Sequence, residues 1–312
     1  MGATPTYLLH DGELVPYAEA RLHVLSTSTK YGVGVFEGFR AYFDDEAGEL
    51  YAFRVADHLR RLVASMRVVG IDGPDDVDRL EEQLLGLIRA NDLHEDLHMR
   101  AQVFVDSPDG KPDDTGPATM FMAAIPMGRY FDRPGLNVQI SSWARISDRS
   151  MPPRVKSIAN YQNGRLALLE ARRNGYDAAL LPTVDGHVSE GAGYNVFMVR
   201  DGKLCTPPVT ESILEGITRD SVLHLARTEL GIDVTERPID RTELYSAEEV
   251  FVCGSAAEVS PVSSVDRIPV ADGGPGELTR ALQDLYRRAV RNRAAADRGW
   301  ARPVYAPAAV AR

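Results

Sequence analysis

The chain has 312 residues and a formal net charge of -10 at pH 7; no lysine- and arginine-rich block is present to hold nucleic-acid phosphates. Cys205 and Cys253 are its 2 cysteines. With no CxxC pair or His/Cys cluster they signal neither zinc nor a disulfide framework, and they fit a reducing compartment. With 44% hydrophobic and 26% charged residues, no run as long as a membrane span and no basic-then-apolar start, the expectation is a cytoplasmic globular protein long enough for two domains.

In chain order, an Asp11-Gly12 turn between two short apolar runs, Tyr7–His10 and Glu13–Pro16, reads as a β-hairpin. A Ser/Thr-rich stretch follows, then a strand over 35–43, a turn over 44–48 and a short strand over 50–53. Leu59, Leu62, Val63, Met66 and Val69 recur at helical spacing, with Gly70 as the stop. A second amphipathic helix is predicted over 77–89, with Leu80, Leu84, Leu87 and Ile88 on its apolar side. Strands over 99–105 and 119–125 flank a proline-bounded loop. Turn formers make 126–135 the best boundary. Beyond it come a strand over 136–143, a helix-like run over 166–173, and strands over 178–181, at 188 and over 196–199, with turns at Asp185-Gly186 and Asp201-Gly202. A helix is expected near Thr218, read as its N-cap, with Val222, Leu225, Ala226 and Leu230 buried and Gly231 as the stop. A buried-type strand over 249–253 and a last helix over 277–295 complete the elements. The tail from 301 is rich in Ala, Arg and Pro and reads as a candidate disordered segment.

Chemistry centres on Lys156, which follows the Met151-Pro152-Pro153 turn. Most lysines are exposed surface groups; this one has Val155, Ile158 and Tyr161 as neighbours in sequence, which would partly desolvate the amine and favour its neutral, nucleophilic form. Glu190 lies between small residues at a strand end. It could cap a turn, or its charge could keep a pyridine nitrogen protonated, so that the ring becomes an electron sink. Gly216-Ile217-Thr218 at a helix start offers N–H groups to an anion. Gly254-Ser255-Ala256 offers more donors and a hydroxyl, and Arg54 a positive charge. Each of these also reads as an ordinary cap or turn. Together they suggest a pyridoxal phosphate site anchored at Lys156.

Tyr31-Gly32, Val35-Phe36-Glu37-Gly38-Phe39-Arg40, Phe53-Arg54, Lys156, Asn160-Tyr161, Ser189-Glu190-Gly191-Ala192-Gly193, Asn195, Gly216-Ile217-Thr218-Arg219 and Gly254-Ser255-Ala256-Ala257-Glu258 occur in one order. The ordered set resembles the class IV aminotransferases of pyridoxal phosphate fold type IV, most closely the branched-chain amino acid aminotransferases. The likeness runs over about 7–270. It implies an α+β, two-domain, D-amino acid aminotransferase-like fold: a small N-terminal domain over 1–125, an interdomain loop over 126–135, a large cofactor-binding domain over 136–300 and a tail over 301–312. It also implies homodimers with pyridoxal 5'-phosphate at the domain interface. By position, the resemblance makes Lys156 the Schiff-base lysine and proton shuttle, Glu190 the partner of the pyridine nitrogen and Tyr161 a neighbour of the ring hydroxyl. Arg54, Ile217, Thr218 and Ser255 match the phosphate cradle. Tyr31, Phe36, Arg40, Tyr130 and Ala256 match the substrate pocket, and Arg100 an arginine that binds the distal carboxylate of glutamate.

The chain departs from the family pattern mainly at substrate positions. His98 stands where the branched-chain enzymes usually have tyrosine, and Met127 replaces a frequent tryptophan in the interdomain loop. Ile158-Ala159 replace a small pair after the lysine, and Tyr194 replaces a frequent glutamate. The expected reaction is transamination of a branched-chain or related hydrophobic L-amino acid with 2-oxoglutarate, through amino acid and 2-oxo acid partners and with neither nucleic acid nor membrane. The alternatives are a transaminase for a nonstandard or D-amino acid, an aminodeoxychorismate lyase, and a non-catalytic cofactor-binding protein.

Overall fold

The computed structural model describes residues 4–293 and 299–305. The chain forms two compact units: residues 1–128, 155–159 and 288–312 in one, residues 129–154 and 160–287 in the other. The first unit carries β1 (Tyr7–His10), β2 (Glu13–Pro16), α1 (Thr27–Tyr31), β3 (Gly34–Asp44), β4 (Glu49–Phe53), α2 (Val55–Val69), α3 (Val77–Ala90), β5 (Leu97–Val105) and β6 (Ala118–Pro126). Next along the chain are β7 (Leu136–Ile140) and α4 (Ile158–Arg173), then β8 (Ala178–Pro182), β9 (Val188–Gly191), β10 (Asn195–Arg200) and β11 (Lys203–Thr206). After α5 (Ile217–Thr228) come β12 (Val234–Glu236), α6 (Arg241–Tyr245), β13 (Glu249–Gly254), β14 (Glu258–Val265) and β15 (Ile268–Pro269). The described elements end with α7 (Glu277–Ala289) and β16 (Ala301–Pro303).

In the first unit a seven-stranded sheet runs β16-β4-β3-β5-β6-β1-β2, with every pairing antiparallel. The alternation of β3 and β5 sends Val35, Phe39, Ala41, Leu97, Met99, Ala101 and Val103 into one core with Leu59, Leu62 and Met66 of α2 and Leu84, Leu87 and Ile88 of α3. Burial of these residues, at roughly 1.5–3 kcal/mol for each large aliphatic or aromatic side chain, is the main stabilising term of the unit. The opposite face of β3 and β5 is thereby left to other side chains, and these are the ones that carry chemistry.

The second unit is built on a nine-stranded sheet in the order β12-β11-β10-β13-β14-β7-β8-β9, with β15 paired to β14. Its strands are apolar on both faces, with Val196, Phe197, Met198, Val250, Phe251 and Val252 all buried, as expected of a sheet covered on two sides. Helix α4 packs Ala167 and Ala171 on Ala179 and Leu181. At Gly164 an added Cβ would fall 2.5 Å from the Ala192 carbonyl oxygen, so this turn of α4 needs glycine to approach the backbone beyond β9.

Several elements differ from the sequence expectation. Helix α4 begins at Ile158, eight residues before the run from 166, because the buried face of its first turns is made of Asn160 and Gly164 and gives no apolar period. The N-cap of α5 is Gly216, with extended dihedrals of φ -70 and ψ 129, and Thr218 is a buried helical residue. Strand β7 stops at Ile140, where the Ser141 hydroxyl turns to Glu170 and receives the Trp143 N–H. The last helix ends at Ala289, and Asn292 takes a left-handed φ of 57; of the expected end of that helix, residues 294 and 295 lie outside the described residues. Strand β14 was not anticipated because Pro261 interrupts it. Residues up to Pro261 pair with β13, and pairing with β7 starts at Val262, so the missing N–H falls where the strand changes partners. Of the tail, Ala301–Pro303 form β16 against β4, and Val304 is fully buried beneath them. Residues 306–312 lie outside the described residues.

Candidate active site

Strands β3 and β5 place Phe36, Gly38 and Arg40 opposite Gln102, Arg100 and His98, on the face turned away from the core. The Arg100 guanidinium lies 4.2 Å from the Phe36 ring centroid, and Lys156 Nζ lies 5.0 Å from that same centroid. Arg40, 2% exposed, donates to the carbonyls of Gly128, at 2.9 Å, and of Met127. Met127 therefore meets this face through its backbone. His98 crosses over Gly38: a Cβ there would sit 3.2 Å from His98 Cε1. Burial, then the charges of Arg100, Arg40 and Lys156, push the His98 imidazole down to about 4. Tyr31, at the end of α1, is exposed, with Lys30 over its ring.

Lys156 is held through its backbone. Its carbonyl accepts the Phe36 N–H at 3.0 Å, its N–H donates to Ser65 Oγ of α2 at 3.3 Å, and Ser157 bridges Val35. The segment thus runs as a short strand along the start of β3, and α4 begins two residues later. The same buried face of α2 carries His58 and Arg61, which grip the fully buried Glu37 carboxylate: Arg61 through Nε at 2.6 Å and a second nitrogen at 2.8 Å, His58 through Nδ1 at 2.7 Å. Burial opposes ionisation of Glu37, but Arg61 and His58 outweigh it and hold the carboxyl well below the usual range. Arg54, the residue before α2, takes the left-handed φ of 52. Its guanidinium binds Asp57 at 2.7 Å and lies 4.8 Å from the Trp300 ring centroid. A non-glycine residue in that conformation stores about 1 kcal/mol or more of strain, which clusters at functional positions.

In the second unit Glu190 is buried at the end of β9 and pairs with Arg145 at 2.8 Å. Its other oxygen accepts Asn195 Nδ2 at 3.1 Å and the Leu214 N–H at 2.9 Å. Asn195 also donates to the Leu214 carbonyl, and its Oδ1 lies 2.0 Å from where a Cβ on Gly216 would be. One amide side chain therefore ties the Glu190 carboxylate to the N-terminus of α5, where Ile217 and Thr218 open the helix. The Gly254-Ser255-Ala256-Ala257 turn joins the same cluster, since a Cβ at Gly254 would lie 3.2 Å from the Gly193 carbonyl oxygen. Tyr161 of α4 approaches from the other side, its Cε1 4.0 Å from the Cβ position of Gly193. Tyr130, Ala256, Glu258 and Tyr286 line a cavity of about 70 Å³ beside this turn.

A family model described as amino-transferase class IV matches residues 34–265. The chain belongs to the class IV aminotransferases. The probable branched-chain-amino-acid aminotransferase of Aquifex aeolicus is 37% identical over 303 residues, covering 96% of this chain and 97% of that protein. The crystal structure of the branched-chain aminotransferase of Thermoproteus uzoniensis with norvaline superposes with a TM-score of 0.93 at 39% identity, over 97% of this chain and all of that one. That of the Thermobaculum terrenum branched-chain amino acid aminotransferase in its PLP form gives a TM-score of 0.90 at 42% identity, over 96% and 98% of the two chains. The α+β fold with two sheets is thus the class IV aminotransferase fold.

The donor set of this class IV aminotransferase fits pyridoxal phosphate. Glu190 is a carboxylate paired with Arg145 and oriented by two N–H groups. The start of the 12-residue α5 is a helix N-terminus with Thr218 in its first turn, and Ser255 follows Gly254 in the turn set against Gly193. The first unit, by itself, carries the Lys156 amine 5.0 Å from the Phe36 ring centroid. No group of His, Cys, Asp or Glu among the described residues has a metal-binding arrangement. Glu190 and Lys156 are marked by their sequence neighbours, whereas Arg145 and Ser65 are not. Neither missed residue lies in a local pattern, and each is found only through the tertiary pair it makes.

Proposed function

We propose that the protein transfers the amino group of a branched-chain or related hydrophobic L-amino acid to 2-oxoglutarate, using pyridoxal 5'-phosphate and giving the 2-oxo acid and glutamate. The observation that carries this reading is the arrangement around Phe36, whose ring has the Lys156 amine and the Arg100 guanidinium within 5.0 Å and 4.2 Å of its centroid. One surface thus offers apolar area to an aliphatic side chain and positive charge to a carboxylate, the two demands that a hydrophobic donor and a dicarboxylic acceptor make in turn. The branched-chain aminotransferase names of the Aquifex, Thermoproteus and Thermobaculum proteins support the same donor class.

When bound, the cofactor supplies an electron sink for the negative charge that develops at the substrate α-carbon. On this reading Lys156 Nζ would anchor it, and the same amine would serve as the general base that takes the α-proton. Glu190 would meet the ring nitrogen, and Arg145, 2.8 Å away, holds the Glu190 carboxylate in position for that task. Tyr161 serves the ring hydroxyl. Arg54, Ile217, Thr218 and Ser255 hold the phosphate, Arg54 by charge and the others by N–H and hydroxyl groups. Arg100 takes the distal carboxylate of the dicarboxylic substrate, while Phe36, Tyr31, Arg40, His98, Met127, Tyr130 and Ala256 shape the pocket. The working form is a cytoplasmic homodimer; exposed Tyr17, Val24, Leu25 and Tyr31 in one stretch of chain support a partner surface. A monomer in sedimentation equilibrium at assay concentration would contradict the dimer.

The test is Lys156→Ala, assayed with L-leucine and 2-oxoglutarate. Loss of turnover by at least about three orders of magnitude is expected for removal of both anchor and base. Turnover at the parent rate would sink the assignment, and pyruvate released from aminodeoxychorismate without an acceptor would replace it with a lyase.

A further inference from the structure

We propose that His98 is a proton-linked carboxylate sensor: a substrate carboxylate seated beside it draws a proton onto its imidazole, so that affinity for the carboxylate rises as pH falls. This inference rests on the aminotransferase reading and adds to it a linkage that Arg100 alone does not provide.

Three observations meet at this residue. His98 Nδ1 is buried and has no hydrogen-bond partner, a state that is unfavourable until an acceptor or donor satisfies it. The neighbouring cations are oriented by protein groups, Arg40 by two carbonyls and, at 4.0 Å, by Asp96, and Arg100 by the Phe36 ring. The groups that act most strongly on the imidazole are Arg100 from β5, Arg40 from β3, Lys156 from the segment along β3 and His58 from α2; the nearby carboxylates, Asp96 and Glu37, are engaged by Arg40 and by His58 and Arg61. From β6, the residue opposite His98 is Ile125, which does not titrate. The imidazole is therefore uncharged near neutrality, with an idle nitrogen and three cations close by.

A carboxylate placed there changes both terms. It offers the idle nitrogen an acceptor, and it cancels the cations that keep the imidazole neutral. Whatever raises the proton affinity of His98 on binding must, by reciprocity, raise carboxylate affinity on protonation. The sign follows. The free protein has His98 down at about 4, so it is uncharged near neutrality, and the carboxylate-bound form titrates higher. Between those two values binding takes up a proton and tightens by up to about tenfold per pH unit as pH falls. A phenol in this place, titrating near 10, would bind a carboxylate without such a dependence.

The experiment titrates holoenzyme with two unreactive carboxylates, glutarate and 4-methylpentanoate. Calorimetry at pH 6 and pH 8 in paired buffers of different ionisation enthalpy counts protons directly. Uptake of a measurable fraction of a proton at pH 6, with a dissociation constant several-fold lower than at pH 8, is expected for the parent protein and is absent in His98→Gln and His98→Asn. Uptake with both ligands assigns the sensor to the carboxylate common to all substrates, and uptake with glutarate alone assigns it to the distal one. No uptake with either ligand, or uptake that persists in both variants, overturns the proposal. Because the parent protein is also assayed for turnover, absence of uptake in an active enzyme removes this inference alone, whereas absence of transamination removes the reading beneath it.

Discussion

Glu37 sits fully buried in the same strand as Phe36 and Arg40, but on the opposite face, where α2 supplies Arg61 and His58. Taking a carboxylate out of water is costly unless the partner geometry is good, and here two Arg61 nitrogens and one His58 nitrogen meet its two oxygens. Because burial holds His58 down at about 4, Nδ1 is the donor and the pair is neutral imidazole with carboxylate. Ser65, further along the buried face of α2, then contacts the Lys156 backbone. The pair thus clamps the helix that steadies the lysine. Glu37→Gln removes the charge that Arg61 and His58 grip, and a loss of about 1.5–3 kcal/mol is expected in denaturant unfolding. A loss below 1 kcal/mol would show that the clamp does not carry the unit.

At the scale of elements, the N-terminus of α5 is positioned by Asn195, which touches Glu190, Leu214 and the site of the absent Gly216 side chain. Gly216→Ala puts a methyl group 2.0 Å from Asn195 Oδ1, so Asn195 or the helix must shift. The φ of -70 at this residue suits alanine, and the damage therefore falls on the anchored carboxylate rather than on the backbone. Cofactor affinity measured by absorbance titration is expected to fall by roughly tenfold or more, equivalent to about 1.4 kcal/mol. Parent affinity would separate the cap from the site. The hairpins, α2 and α3 were legible in the sequence because period and punctuation agree there: Asp11-Gly12 turns, Gly70 stops α2, and Asp76 accepts the Arg79 N–H as a cap. The first half of α4 was not, since polar Asn160 and Asn163 make their contacts with Pro152 and Ala144 carbonyls far from the local helix pattern. Lys156 and Glu190 stood out because their chemistry is rare between such neighbours. Arg145 and Ser65 are ordinary residues whose roles come only from what the fold brings to them.

Across the whole molecule, two histidines and two paired carboxylates oppose acid in the same direction. Burial, opposed in part by Glu37, keeps His58 at about 4, and burial with nearby cations keeps His98 there too. Below pH 6.5 the unfolded chain therefore binds protons that the folded protein refuses, and stability falls with pH by up to about 1.4 kcal/mol per unit for each histidine. Hydrogen bonds from Arg293 to Asp44 and from Arg237 to Glu243 hold those carboxyls at about 2. Their stabilisation is complete above the ordinary carboxylate range and is lost as pH falls towards 2. The Tm from calorimetry is therefore expected to decline from about pH 6.5 downward, before the carboxylates titrate. A Tm that is flat or rising between pH 7 and pH 5 would contradict the neutral, buried histidines.

A reaction in two halves run from one lysine leaves a signature in a single turnover. Holoenzyme mixed with L-leucine in the absence of any acceptor is quenched and assayed for 4-methyl-2-oxopentanoate. One equivalent per Lys156 is expected, with further product only after 2-oxoglutarate is added. No 2-oxo acid, or its continued formation without an acceptor, would contradict the account.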